Sequence, residues 1–151
     1  MKTIAKSFGI FNKLDMHMLH VTRSLIKNKN SILGEFGLTC SLFEILSAIN
    51  DLGRNKKDII QIDLSKKTSI DPMTTSTCLR ALEKRGLISR SRGVQNARII
   101  LIEMTPEGRE VYSNALLKIN RANEFLYQDI DKKLLVDQLS ELSLKLSRTN
   151  L

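Results

Sequence analysis

The chain has no tryptophan, only two cysteines and two prolines, and 5% aromatic residues across 151 positions. So few rings argue against a stacking platform for single-stranded nucleic acid. No apolar run approaches the roughly 18–20 residues that a membrane span needs. Cys40 and Cys78 lie far apart and match no CxxC or zinc-ribbon spacing, a usage that fits a reducing cytosol. The opening MKTIAKSFGIFNKLD has no small-residue cleavage site and does not read as a signal peptide. Also missing are a nucleophile elbow, a phosphate loop, an HExxH pair and a carboxylate pair, so no enzyme and no cofactor is expected.

What is present is ordinary in amount and unusual in placement. Hydrophobic residues at 42% and charged residues at 26% suit one soluble domain with its own core. The net charge of +8 comes from 24 basic and 16 acidic residues. Between Arg54 and Arg98 stand eleven basic residues, Lys57 among them, and four acidic ones, so that segment alone carries +7. The remaining thirteen basic and twelve acidic residues nearly cancel. A basic block confined to one segment is the footprint of phosphate binding; the competing reading is a solvated face that aids solubility.

Periodicity divides the chain into helices and one hairpin. Ile4, Phe8, Phe11, Leu14, Met18, Val21 and Leu25 recur at three-and-four spacing, which predicts a long helix ending near Gly34 and Gly37. Thr39 is a suitable N-cap for a second helix to Leu52, stopped by Gly53. The β-branched run Ile59–Ile62 predicts a short strand before a brief helix over Asp63–Thr68. Asp71-Pro72 opens another helix, because the carboxylate accepts the first free N–H groups and proline loses nothing at the first position. Gly86 ends it. Leu87–Arg90 and Ile99–Met104 read as two strands around a polar tip, Ser91–Ala97. Thr105-Pro106 starts a helix expected to run toward Asp131, and Lys132–Ser147 a last one with Leu135, Leu139, Leu142 and Leu146 along a packing seam.

The helix from Asp71 carries the chemistry. Thr75, Cys78 or Leu79, and Leu82 share its inward face, leaving Met73, Ser76, Thr77, Arg80 and Lys84 opposite, with Thr74 in the first turn. An α-helix fits the major groove, where hydroxyls and arginine meet base edges. Arg80 is the one long donor near the middle of that face and the best candidate for a base contact, ideally to guanine. Ser76 and Thr77 suit bases or phosphates, and Lys66, Lys67, Lys84 and Arg85 suit phosphates, which position a protein without reading sequence. The hairpin arginines Arg90, Arg92 and Arg98 are candidates for a narrow minor groove; the alternative is exposed turn residues. A short helix followed by a basic hairpin is how a winged helix-turn-helix meets DNA.

These residues also carry a resemblance. The runs DPMTTSTCLRALEKRGLISR and NARIILIEMTPEG look like the MarR family of bacterial winged-helix transcriptional regulators. Leu82, Glu83, Gly86, Leu87, Arg90, Arg98, Thr105 and Gly108 fall on that family's pattern, and Leu38-Thr39 resembles the start of its second helix. Asn96 stands where the family has an aspartate, Ala97 where it often has a second arginine, and Thr77 where an arginine is common. The resemblance implies a mainly α fold with a small β-hairpin wing and long N- and C-terminal dimerisation helices. In this single domain, residues 38–108 form the DNA-binding lobe, and residues 1–33 and 109–151 the dimerisation region. It further implies a homodimer on a pseudo-palindrome of double-stranded DNA, with half-sites roughly 34 Å apart. A small phenolic or lipophilic effector, or oxidation, would release the DNA, as expected of a cytoplasmic repressor without membrane partners.

Other residues leave alternatives open. Cys40 follows a helix cap, where the dipole can lower a thiol pKa, so a redox-sensing role competes with simple packing. His17 and His20 share one side of the first helix, as a weak metal pair or as surface residues. A winged helix can also serve as a protein-interaction module without specific DNA binding.

Overall fold

The computed structural model describes the backbone of residues 2–56 and 58–149, and side chains from Lys13 onward. Ile4, Phe8, Phe11 and Lys57, all used above, therefore have side chains outside the described residues. Helices α1 (Lys2–Leu33), α2 (Cys40–Leu52), α3 (Gln61–Thr68) and α4 (Pro72–Lys84) are followed by β1 (Ile88–Arg92), β2 (Ile100–Met104), α5 (Pro106–Leu126) and α6 (Lys132–Thr149). The chain is thus mainly helical with one antiparallel hairpin, as the pattern predicts. Residues 1–117 form one compact unit and residues 118–151 a second.

Helix boundaries follow local chemistry. Thr39 Oγ accepts from the Leu42 N–H at 3.3 Å, and Asp71 accepts from the Thr74 N–H at 2.9 Å. Each such cap stabilises its helix by about 1 kcal/mol. Hydrogen bonds from Thr74 hold the Asp71 carboxyl below the usual carboxylate range. After α1 a single 3-10 turn, Gly34–Phe36, ends at Gly37 with φ +64. Gly86 ends α4 with φ +71, a left-handed conformation that glycine adopts without a Cβ penalty.

Within residues 1–117, helices α2, α3 and α4 pack on one another, and α2 also packs on β2. Ile45, Leu46, Leu64, Leu79, Leu82 and Ile102 are fully buried at their centre. Each contributes about 1.5–3 kcal/mol by leaving water, so truncating Leu82 to alanine removes packing that no surface contact replaces. Thr75 is buried among them and donates to the Ile70 carbonyl at 3.3 Å. Register pairs Ile88 with Met104 and Arg92 with Ile100, which turns Ile88, Ile102 and Met104 inward.

Two expected elements differ. No strand forms over residues 59–62; one backbone bond, from the Ile102 N–H to the Ile59 carbonyl at 2.8 Å, marks its place. Asp63 instead pulls the helix start forward to Gln61, because its carboxylate accepts from the Ile60 N–H at 3.0 Å. Helix α5 stops at Leu126, short of the expected Asp131. Asp129 is left-handed at φ 62, and Asp131 caps α6 by accepting from the Leu134 N–H at 3.0 Å. Three-and-four spacing continues through Ile130, but the second cap interrupts it.

Candidate nucleic-acid interface

Burial splits α4 into two faces. Thr75, Cys78, Leu79 and Leu82 are buried, whereas Met73, Thr74, Thr77, Arg80 and Lys84 are exposed and Ser76 is half-buried. Met73 is 83% exposed, high for a large apolar side chain at the first turn of a helix. Thr74 faces solvent while its N–H belongs to the Asp71 cap. Thr77 Oγ donates to the Met73 carbonyl at 3.1 Å and accepts from Arg80 Nη2 at 3.2 Å. The Arg80 guanidinium therefore lies along the exposed face, held by a neutral hydroxyl that a better acceptor can replace.

The last turn of α4 sends neighbouring residues in different directions, since each step rotates about 100° around the axis. Lys84 remains exposed to solvent. Glu83 turns to the hairpin, where its carboxylate accepts from Arg90 Nε at 2.8 Å and from Arg90 Nη2. That pairing holds the Glu83 carboxyl below its usual range and raises the Arg90 guanidinium further. Arg90, expected as a groove contact, ties β1 to α4. Arg85, expected on phosphate, donates to the carbonyls of Phe36, at 2.9 Å, and of Gly37. Each of these cations finds an acceptor inside the lobe.

At the wing, β1 extends to Arg92, and Arg92 and Arg98 are both exposed. Asn96 organises the tip. Its side-chain oxygen accepts from the Arg98 N–H at 3.0 Å and its carbonyl from the Ile99 N–H at 3.1 Å. The Gly93 N–H donates to Ile99 O at 2.9 Å and closes the loop. Lys66 and Lys67 are exposed on α3, with Lys67 4.0 Å from Asp51.

Cys40 does not have the environment expected of a reactive thiol. Burial, together with the charge and hydrogen bond of Glu44, pushes it up to about 11. Its N–H donates to Asn30 Oδ1 at 2.7 Å, which ties this helix start to α1. Cys78 is buried packing. His17 Nδ1 lies 2.8 Å from the Lys13 carbonyl, one turn back on its own helix. Among the described residues no three His, Cys, Asp or Glu side chains converge for a metal.

The family model described as the MarR family matches residues 38–100, from the α2 cap to the wing. The transcriptional regulator SarZ of Staphylococcus epidermidis is 29% identical over 126 residues, 82% of each chain. Over residues 38–100 the chain is similar to the MarR family. Another relative is the HTH-type transcriptional regulator YdgJ of Bacillus subtilis, 28% identical over 109 residues. That match spans 70% of this chain and 64% of the relative. Among solved structures, the transcriptional regulator BldR of Sulfolobus solfataricus has a TM-score of 0.75 at 25% identity. The likeness covers 90% of this chain and 94% of that one.

Proposed function

We propose that this chain is a sequence-specific, double-stranded DNA-binding transcriptional regulator that works as a homodimer. The observation that carries the reading is the two-faced α4: a sealed side of Thr75, Cys78, Leu79 and Leu82, and an uncovered Met73, Thr77, Arg80 and Lys84 side with Ser76 half-buried at its edge. In this reading α4 enters the major groove with Arg80 on a base edge, while Ser76 and Thr77 meet bases or phosphates. Lys84, Lys66 and Lys67 supply phosphate contacts, and Arg92 and Arg98 flank the minor groove. Staphylococcus aureus MepR, a chain of the same fold, has been solved in complex with DNA.

A second copy accounts for the apolar surface of the long helices. Helix α6 has no buried residue, and Leu135, Leu139, Leu142 and Leu146 all remain exposed on it. On α1, Leu14, Leu19 and Val21 are similarly uncovered. Two-fold pairing through these helices buries both sets and places two α4 helices on one face of the duplex. Residues 38–108 then read DNA while residues 1–33 and 109–151 hold the dimer.

No single described helix is long and apolar enough to cross a membrane. The chain acts in the cytoplasm as a repressor without catalytic activity, and a small phenolic or lipophilic effector releases it. Bordetella bronchiseptica BpsR, of the same fold, has its DNA binding regulated by 6-hydroxynicotinic acid.

The test is selection of random-sequence duplexes on the full chain, followed by titration at several salt concentrations. An enriched pseudo-palindrome whose affinity falls steeply with salt is expected. No enrichment, or salt-independent binding, refutes the reading.

A further inference from the structure

The joint between α1 and α2 contains a cation that comes from the end of α4. Neither α1 nor the 3-10 turn after it carries a basic residue in its last turn, where a cation would favour the negative end of the helix. Arg85 supplies one from 48 residues away, donating Nη1 to the Gly37 carbonyl and Nη2 to Phe36 O at 2.9 Å. The fit is close. A Cβ on Gly37 would lie 3.0 Å from Arg85 Nη2 and 3.3 Å from Cζ, so the guanidinium fills the space a side chain there would need. Two further bonds lock the same joint: the Leu38 N–H to Leu33 O at 3.0 Å and the Cys40 N–H to Asn30 Oδ1 at 2.7 Å.

Arg85 is also the C-cap residue of α4. One planar group thus joins the end of the proposed recognition helix to the end of α1. We propose that Arg85 is a positioning residue: it fixes α4 against α1 and thereby sets the half-site spacing that the dimer accepts. The inference rests on the DNA-binding reading above. Its physical basis is that a fork of two N–H donors on two carbonyls constrains angle as well as distance, which a point charge on a flexible stem does not. In a two-fold dimer, looseness at this joint becomes looseness in the separation of the two α4 helices.

The duplex selected by the wild-type chain is the probe, together with versions carrying one base pair more or fewer between the half-sites. Arg85→Ala and Arg85→Lys are both expected to weaken binding at the selected spacing by roughly tenfold. Both should bind the altered spacings nearly as well, with the salt slope unchanged. Gly37→Ala, which keeps every charge but crowds the guanidinium, should flatten the spacing preference in the same way. Full rescue by lysine, or a salt slope reduced by about 0.9 in Arg85→Ala, assigns Arg85 to a phosphate and overturns the proposal. Retained spacing preference in all three variants also overturns it. If the wild-type chain selects no sequence, the DNA-binding reading fails and takes this inference with it; if only the variants disagree, this inference fails alone.

Discussion

Glu83 on α4 and Arg90 on β1 form a two-pronged ion pair that fastens the wing to the helix beside it. Six residues separate them, and the chain between turns back through Gly86. The wing therefore approaches α4 through a carboxylate–guanidinium fork as well as through the buried Leu87 and Ile88.

That pair gives the wing an acid limit. The Glu83 carboxyl lies below its ordinary 4.5, so its stabilising contribution is complete above that pH and is lost as pH falls through the depressed value. Amide exchange in β1 and β2, compared with α2, should quicken relative to neutral pH as Glu83 protonates. Glu83→Gln should show the faster wing exchange at neutral pH already. Identical exchange in wild type and variant would remove the pair from any role in holding the wing.

Arg80→Ala should cost about 1–3 kcal/mol on the selected duplex and relax preference at one base position. Competition titrations against random DNA measure the difference. An equal loss on both duplexes would show that Arg80 meets a phosphate.

Gly108 should tolerate no side chain. A Cβ there would stand 1.9 Å from the Leu87 carbonyl oxygen, which already accepts from the Thr105 N–H at 3.1 Å. Gly108→Ala should destabilise by about 3 kcal/mol or more, read from the urea midpoint. Gly34→Ala is the control, since nothing lies within 4 Å of its Cβ position. A Gly108→Ala midpoint equal to that control would disprove the close approach.

Helix α6 should carry the subunit contact. Leu139 and Leu142 are 40% and 39% exposed on it, and replacing both with lysine should yield a monomer in sedimentation equilibrium. A double variant that still sediments as a dimer would place the interface elsewhere.

Cys40 should be slow to react. With the thiol pushed up to about 11, alkylation by iodoacetamide at neutral pH should be slower in the folded chain than in urea. Glu44→Gln should speed it by removing the negative charge beside the thiol. The sign of the linkage follows: stability from the neutral thiol is full below 9.0 and declines as pH rises toward about 11. Faster alkylation in the folded chain than in urea would reinstate a redox-sensing role.

The helix starts were legible because their signals are local. Thr39, Asp71-Pro72 and Thr105-Pro106 each satisfy free N–H groups within three or four residues, and Gly86 needs only its own φ. The buried face of α4 was equally legible, since three-and-four spacing places Thr75, Leu79 and Leu82 together whatever surrounds them. The missing strand at Ile59–Ile62 shows where propensity gives way, because a single carboxylate, Asp63, draws Gln61 and Ile62 into a helix.

By itself, the sequence determined the order of helices and hairpin, the two faces of α4 and the placement of charge. Only the tertiary structure decided which cations meet acceptors inside the lobe. Arg85 and Arg90 are indistinguishable from Arg80 and Arg92 as letters, yet the first two meet carbonyls and a carboxylate inside the lobe. It also decided that Gly108 admits a neighbour's backbone and that the Cys40 thiol faces Glu44. Long side chains choose among acceptors by distance in space, and that distance exists only once the chain has folded.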